Sequence, residues 1–147
     1  MKHKALIRKF CKDVTGLDFH IYKGKVWETD CYDTIYYTDG MADEGDAAFR
    51  LNFVKRCPIA ACYSDFTLSL LHELGHVMTS CDMTGDSTSD EFETYEDYFA
   101  THDETIATDW AIRFISDKRN ASFLDYFDGE YKKIQRKKLV KKSKKKG

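Results

Sequence analysis

The clearest periodic pattern in the chain lies between Asp65 and Ser80, and it predicts an amphipathic helix. When these residues are stepped at about 100° each, the apolar side chains fall on one face and the polar ones opposite. The apolar set is Leu70, Leu71, Leu74, Val77 and Met78. Ser64 is suited to cap the first turn. Gly75 costs about 1 kcal/mol relative to alanine inside a helix, so we expect another part of the molecule to approach its backbone closely.

The other patterns predict an α+β fold, in which a small antiparallel or mixed β-sheet packs against this helix and further C-terminal helices. Predicted helices cover residues 2–14, 103–116 and 121–140, and predicted strands cover 17–22, 25–29, 34–38 and, after a loop at 39–46, 47–55. A chain of 147 residues with 42% hydrophobic residues suits one domain. We assign that domain to residues 1–130, and residues 131–147 to a basic helix end and tail.

The polar face of the 65–80 helix carries the sequence His72-Glu73-Leu74-Gly75-His76. Two histidines four residues apart share a helix face and can hold one metal ion between them. Glu73 lies about 100° further round, within reach of a water molecule at that metal. Two imidazoles, a general base and an open position are what zinc hydrolysis requires. The pattern predicts one Zn²⁺ per chain, against the alternative of two histidines satisfied by hydrogen bonds on an ordinary helix.

A third ligand is expected from the predicted helix 103–116. Glu104 shares one stripe with Ala107 and Ala111, and such small residues let this helix pack closely against the histidine helix. Glu104 is therefore favoured, since a carboxylate completes an open hydrolytic zinc site. His102 is the alternative ligand, because imidazole is an equally good zinc donor. His102, Tyr95 and Tyr98 are also candidates for an oxyanion donor.

The segment from Asp65 to His76 resembles the active helix of the ImmA/IrrE-type metallopeptidases, which are small gluzincin-like zinc proteins. The family's following glutamate helix is matched in order by Glu104, Ala107, Trp110 and Ala111. The resemblance covers about residues 48–116. It implies a minimal zincin-like fold and a zinc-dependent peptidase, in which residues 48–55 form an edge strand on the substrate side. That strand could hold an extended substrate by backbone hydrogen bonds.

The family often has an asparagine four residues after the ligand glutamate, and here that position is Thr108 with Asp109 beside it. A metal-bound histidine usually donates its second ring N–H to an acceptor that orients the ring. Thr108 or Asp109 is therefore expected to orient one of the two histidines.

Charge is divided unevenly along the chain. The last 17 residues contain ten of the 23 basic residues and no acidic one, which leaves the first 130 residues with a net charge of −12. Such a lysine-rich tail is typically solvated, although it could also bind nucleic acid or another anionic partner non-specifically, or fold back onto the acidic body. Nine acidic and no Lys or Arg residues lie between Asp82 and Glu104, which suggests a mobile acidic lid. Their spacing partly matches a calcium-binding EF-hand loop, but Ser87 stands where that loop needs glycine.

The five cysteines lack the spacing of a disulfide framework, so we expect reduced thiols. The chain has no apolar run long enough to span a membrane, and its first residues do not resemble a signal peptide, which favours a cytoplasmic protein without a membrane partner. The function expected is that of a zinc-dependent peptidase acting on a protein or peptide. Alternatives are a zinc-bearing regulatory module that binds protein or nucleic acid with little catalysis, and a zinc hydrolase acting on a non-peptide amide.

Overall fold

The computed structural model describes residues 2–30, 33–39, 44–79, 94 and 102–146, with the side chains of 44–46 and 142–146 left aside. These residues form an α+β structure with a small mixed sheet, which confirms the predicted class. In chain order the elements are α1 (His3–Thr15), β1 (His20–Lys23), β2 (Glu28–Asp30), β3 (Thr34–Tyr37), α2 (Glu44–Arg56), α3 (Asp65–Thr79), α4 (His102–Ser116) and α5 (Ala121–Lys146). Short 3₁₀ turns at Pro58–Cys62 and Lys118–Asn120 precede α3 and α5.

The sheet has β3 at its centre, with β1 parallel to it on one side and β2 antiparallel on the other. Ile35 on β3 lies opposite both Ile21 and Thr29, and the two isoleucines are buried. Among the described residues β2 is an edge strand, and it contacts α3. The sheet is therefore joined to the histidine helix through its shortest strand.

The predicted strand 47–55 is wrong, because these residues belong to helix α2. Phe49 and Phe53 are buried, whereas Leu51 between them is 54% exposed. Apolar residues two apart suggested a strand, but the burial follows the spacing of four residues that a helix produces. The edge strand expected to hold a substrate at residues 48–55 is consequently absent, and β2 is the described edge strand that adjoins α3.

Helices α3 and α4 cross with their backbones in close contact at Gly75. A β-carbon built on Gly75 would lie 2.3 Å from the carbonyl oxygen of Ala107. This distance is shorter than any real contact, so only glycine fits at this position in the present packing. The close approach expected at Gly75 is thus confirmed, and Ala107 is the residue that approaches.

Helix α5 combines a buried first half with an exposed second half. Leu124 and Phe127 are buried in the core, whereas Leu139 and Val140 are more than half exposed. The helix continues to Lys146 rather than ending near residue 140, in keeping with the favourable helix propensity of lysine. No helix in the described part of the chain has both the length and the hydropathy that a membrane crossing requires.

Three of the five cysteines can be described, and Cys11, Cys57 and Cys62 are all free thiols, as expected. Cys31 and Cys81 lie outside the described residues, as do Tyr95, Tyr98 and nearly all of the acidic segment considered as a lid or a calcium loop.

Candidate metal centre

Helices α3 and α4 bring together two imidazoles and one carboxylate. His72, His76 and Glu104 each offer one ligand atom, and these atoms all lie within 4.8 Å of one another. Glu104 Oε2 is 3.2 Å from His76 Nε2 and makes an even shorter contact with His72 Nε2. The two imidazole planes stand nearly perpendicular, with an angle of 88° between them. The structure thus gathers the three residues named as ligands from the sequence around a single point.

Neither helix leaves this group open to solvent. His72, His76 and Glu104 are each no more than 5% exposed. The polar face of α3 is not open, because α4 packs against α3 and the helix is buried on its polar side as well as its apolar side. Met78, which was assigned to the buried face, is instead 45% exposed near the end of the helix. Polar ligand atoms at this depth need partners, since unsatisfied buried polar groups are costly.

Of the two residues proposed to orient a histidine, Thr108 makes the contact. Its hydroxyl lies 3.1 Å from Nδ1 of His72, and its side chain is buried. An Nδ1–H that donates to this hydroxyl leaves the lone pair of Nε2 directed at the ligand point. Asp109 is turned away from the histidines and forms an ion pair with Arg56.

Two phenylalanines of α2 form an apolar wall beside His72. The rings of Phe49 and His72 meet edge to face, with centroids 5.3 Å apart, and Phe53 lies behind Phe49. Sequence reasoning missed this wall because it placed both phenylalanines on a strand. The signal that could have identified it is the spacing of four residues between Phe49 and Phe53, which a helix places on one face.

The two histidines stabilise the charged form of Glu104. Burial by itself raises the pKa of this carboxyl, but hydrogen bonds and charge interactions with His72 and His76 outweigh burial and hold the pKa far below its usual range. The Glu104 carboxylate is therefore favoured in its ionised form at neutral pH.

Glu73, beside these ligands, has an environment of the opposite kind. It is 7% exposed, and burial raises its pKa in spite of the neighbouring histidines and a hydrogen bond from Thr29. Thr29 Oγ1 on β2 donates this bond to Oε2 of Glu73, at a distance of 2.5 Å. A carboxyl whose pKa lies above its usual value is suited to accept and return a proton near neutral pH. No sequence signal singled out Thr29, since its neighbours Glu28 and Asp30 are equally polar.

His102, the alternative ligand, is the first residue of α4 and is exposed, whereas Glu104 two residues later is buried. The direction follows from helix geometry, because residues two apart point to nearly opposite sides. Among the described residues, the ligand group therefore includes Glu104 and not His102.

The donor set and its surroundings fit a zinc ion. Two imidazole nitrogens and one carboxylate oxygen are zinc ligands in open catalytic sites, and a hydrogen-bonded second ring nitrogen is typical of them. No protein-family model, curated protein or solved structure matches this chain.

Proposed function

We propose that the protein is a zinc-dependent peptidase, in which His72, His76 and Glu104 hold the metal and Glu73 is the general base. The observation that carries the proposal is the buried convergence of the three ligand atoms with a fourth ionisable group, Glu73, beside them. A zinc site that only stabilised the fold would be closed by four protein ligands, whereas the described residues supply three and place Glu73 beside them.

A zinc ion held by these residues would lower the pKa of a water molecule towards neutrality and polarise the carbonyl group of a substrate. Glu73 accepts the proton of the attacking water and passes it to the leaving amine. Thr108 keeps the ring of His72 in the orientation that presents Nε2. Phe49 shields one side of that ring from water.

The family we propose is the ImmA/IrrE-type metallopeptidases. Support comes from the crossing of α3 and α4, which brings the glutamate of the second helix onto the histidines of the first. It also comes from the small residue Ala107 at the point of crossing. The substrate class that follows is an extended protein or peptide chain, which could pair with the edge strand β2.

The decisive variant is Glu73→Gln, which keeps the size of the side chain but cannot accept the proton. Purified metal-free protein supplied with zinc should bind about one ion per chain and cleave fluorescein-labelled casein. Glu73→Gln should keep the zinc and lose several orders of magnitude in kcat. Elemental analysis and fluorescence release measure the two quantities.

The histidines provide the matching control for metal binding. The double variant His72→Ala/His76→Ala should lose both zinc and cleavage. Full zinc content in this variant would overturn the metal site. Equal cleavage by wild type and Glu73→Gln would overturn Glu73 as the general base, and zinc binding without any cleavage by the wild type would overturn the peptidase and favour a binding module.

A second candidate function is the binding of a polyanion, and the surface of α5 favours it. The basic side chains from Lys132 to Lys141 are spread over most of the helix circumference, and Arg136, Lys137 and Lys141 are exposed. A helix lying in a membrane interface would need an apolar stripe. The exposed residues Leu139 and Val140 point about 100° apart and do not form one. A helix charged on most sides suits the phosphate backbone of a nucleic acid.

Fluorescence anisotropy with a labelled DNA duplex tests this second function. Binding should weaken steeply as salt rises, and the triple variant Arg136→Gln/Lys137→Gln/Lys141→Gln should show a smaller salt dependence. The control Lys4→Gln/Arg8→Gln/Lys25→Gln removes the same charge from exposed positions outside α5. If the two triple variants weaken binding to the duplex equally, or if the protein binds anionic vesicles but not the duplex, the proposal that α5 binds nucleic acid is contradicted.

A further inference from the structure

We propose that Thr29 is a positioning residue that holds the carboxylate of Glu73 in the orientation needed to accept a proton. This inference rests on the proposed peptidase function and adds to it a residue from the sheet, 44 positions away along the chain.

The contact is specific in its atoms. Thr29 Oγ1 lies 2.5 Å from Oε2 of Glu73 and 3.3 Å from the main-chain oxygen of the same residue. The hydroxyl has one proton, and the shorter contact to the carboxylate is the one that uses it. Thr29 stands in the middle of β2, where the pairing of its backbone with Ile35 on β3 fixes the position of the side chain.

Holding one carboxylate oxygen has a consequence for the other. With Oε2 occupied by the Thr29 hydroxyl, Oε1 is the oxygen left to accept the proton from water. Without this hydrogen bond the carboxylate could rotate about χ3, because the distribution of this terminal torsion angle in glutamate is broad. A displacement of about 1 Å in a catalytic group can reduce a rate about a hundredfold, so holding this torsion affects kcat.

The hydroxyl could instead serve only to fasten β2 to α3, through the main-chain oxygen of Glu73. The two roles predict different results. A purely structural bond to the main-chain oxygen would stabilise the fold equally with or without the Glu73 carboxylate, and its loss would not act selectively on kcat. A positioning bond would affect kcat while KM and zinc content stay unchanged.

The test compares Thr29→Val, which keeps the shape but lacks the hydroxyl, with Thr29→Ser, which keeps the hydroxyl. Cleavage of labelled casein by the zinc-loaded protein should show kcat about tenfold lower or more for Thr29→Val, with unchanged KM, and kcat restored to within about threefold for Thr29→Ser. Thr34→Val is the control, because Thr34 on β3 also has its hydroxyl near a carboxylate, that of Asp33, at 3.1 Å. It should cleave as wild type does.

A second measurement uses metal-free protein and no substrate. Thr29→Val should lower the melting temperature by several degrees in the wild-type background and by much less in Glu73→Leu, which has no carboxylate to hold. These variants form a double-mutant cycle. If the effects of the Thr29 and Glu73 substitutions on the melting temperature are additive, or if Thr29→Val has wild-type kcat, the inference is overturned but the proposed peptidase function is not. If the wild type cleaves nothing, the proposed function is overturned. The inference then fails with it, even if the melting temperatures show that Thr29 and Glu73 are coupled.

Discussion

Gly75 and Ala107 show how a single atom can set the distance between two helices. The absence of a β-carbon at Gly75 lets the main chain of Ala107 approach until no space for that atom remains. His72 and His76 lie within one turn on either side of Gly75, and Glu104 lies one turn before Ala107. The spacing of the ligand atoms therefore depends on this contact.

Replacing Gly75 by alanine should push α3 and α4 apart. We expect Gly75→Ala to destabilise the fold by about 1–3 kcal/mol, the usual cost of overpacking, although alanine is the better helix former. It should also weaken zinc binding, because the ligands of the two helices separate. Denaturant unfolding and zinc titration measure the two effects.

Gly129 on α5 provides the matched control for this substitution. A β-carbon there would meet nothing within 4 Å. Gly129→Ala should therefore stabilise the protein by up to about 1 kcal/mol. Similar effects of the two substitutions would show that helix propensity, and not the contact with Ala107, determines the outcome at Gly75.

Helix α3, which carries the histidines, is held at its N-terminus by Asp128 of helix α5. One carboxylate oxygen of Asp128 accepts hydrogen bonds from the Ser64 backbone N–H and from the hydroxyls of Ser64 and Thr67, at 3.0, 2.8 and 2.7 Å. Lys132 pairs with the other oxygen at 2.7 Å. The Thr67 N–H in turn donates to Ser64 Oγ, which confirms Ser64 as the predicted N-cap. A negative charge is favourable at a helix N-terminus, so Asp128 both caps and orients α3.

Stability should depend on pH through Asp128. Burial raises its pKa, but hydrogen bonds from Lys132, Ser64 and Thr67 outweigh burial and leave the pKa below its usual value. A lowered folded-state pKa means that the stabilisation is fully present above the unfolded-state pKa of about 3.9 and is lost as the pH falls below it. Asp128→Asn should thus cost about 1–3 kcal/mol at pH 7 and less at pH 3.

Urea unfolding at several pH values measures this dependence. Asp125→Asn, at an exposed position three residues earlier, is the control; Asp125 accepts a hydrogen bond of 3.3 Å from the Tyr63 hydroxyl, which asparagine can also accept, so stability should change by less than about 0.5 kcal/mol. A constant difference between wild type and Asp128→Asn from pH 7 to pH 3 would exclude an ionised Asp128 as the source of the stabilisation.

At the scale of the whole molecule, helices that are distant in the chain meet at the buried group of His72, His76 and Glu104. His72, His76 and Glu104 come from α3 and α4, between which 22 residues intervene. An ion bound to all three would stabilise the folded chain, since the unfolded chain does not present the ligands together.

Zinc should therefore raise the melting temperature. At a free zinc concentration 100 times Kd, the expected stabilisation is about 2.7 kcal/mol, and a chelator should reverse it. His76→Ala should abolish the zinc-dependent shift. His20→Ala is the control, because His20 is an exposed residue of β1 and should leave the shift unchanged. Scanning calorimetry with and without zinc makes the measurement, and an equal shift in both variants would place the ion elsewhere.

Local sequence patterns were sufficient to predict the two helices that carry the candidate site, α3 and α4. The apolar period of residues 65–80 predicted α3 within one residue, and the stripe of Glu104, Ala107 and Ala111 predicted α4. Both patterns are long, and side chains three and four apart report helix geometry directly. The segment at 47–55 is shorter, and its phenylalanines satisfy both a strand alternation and a helix spacing. The burial of Phe49 and Phe53 together, which depends on neighbours elsewhere in the chain, distinguishes the two.

The motif at 72–76 and the stripe containing Glu104 were enough to name three candidate ligands and a candidate base, because a helix places residues four apart on one face whatever surrounds it. Their convergence depends on how closely α3 and α4 pack, which Gly75 permits but does not specify. The contacts of Thr29 with Glu73 and of Asp128 with Thr67 span 44 and 61 positions. Local periodicity carries no information about such pairs. They arise when strand pairing and helix packing bury polar groups together, and each buried group then requires a partner.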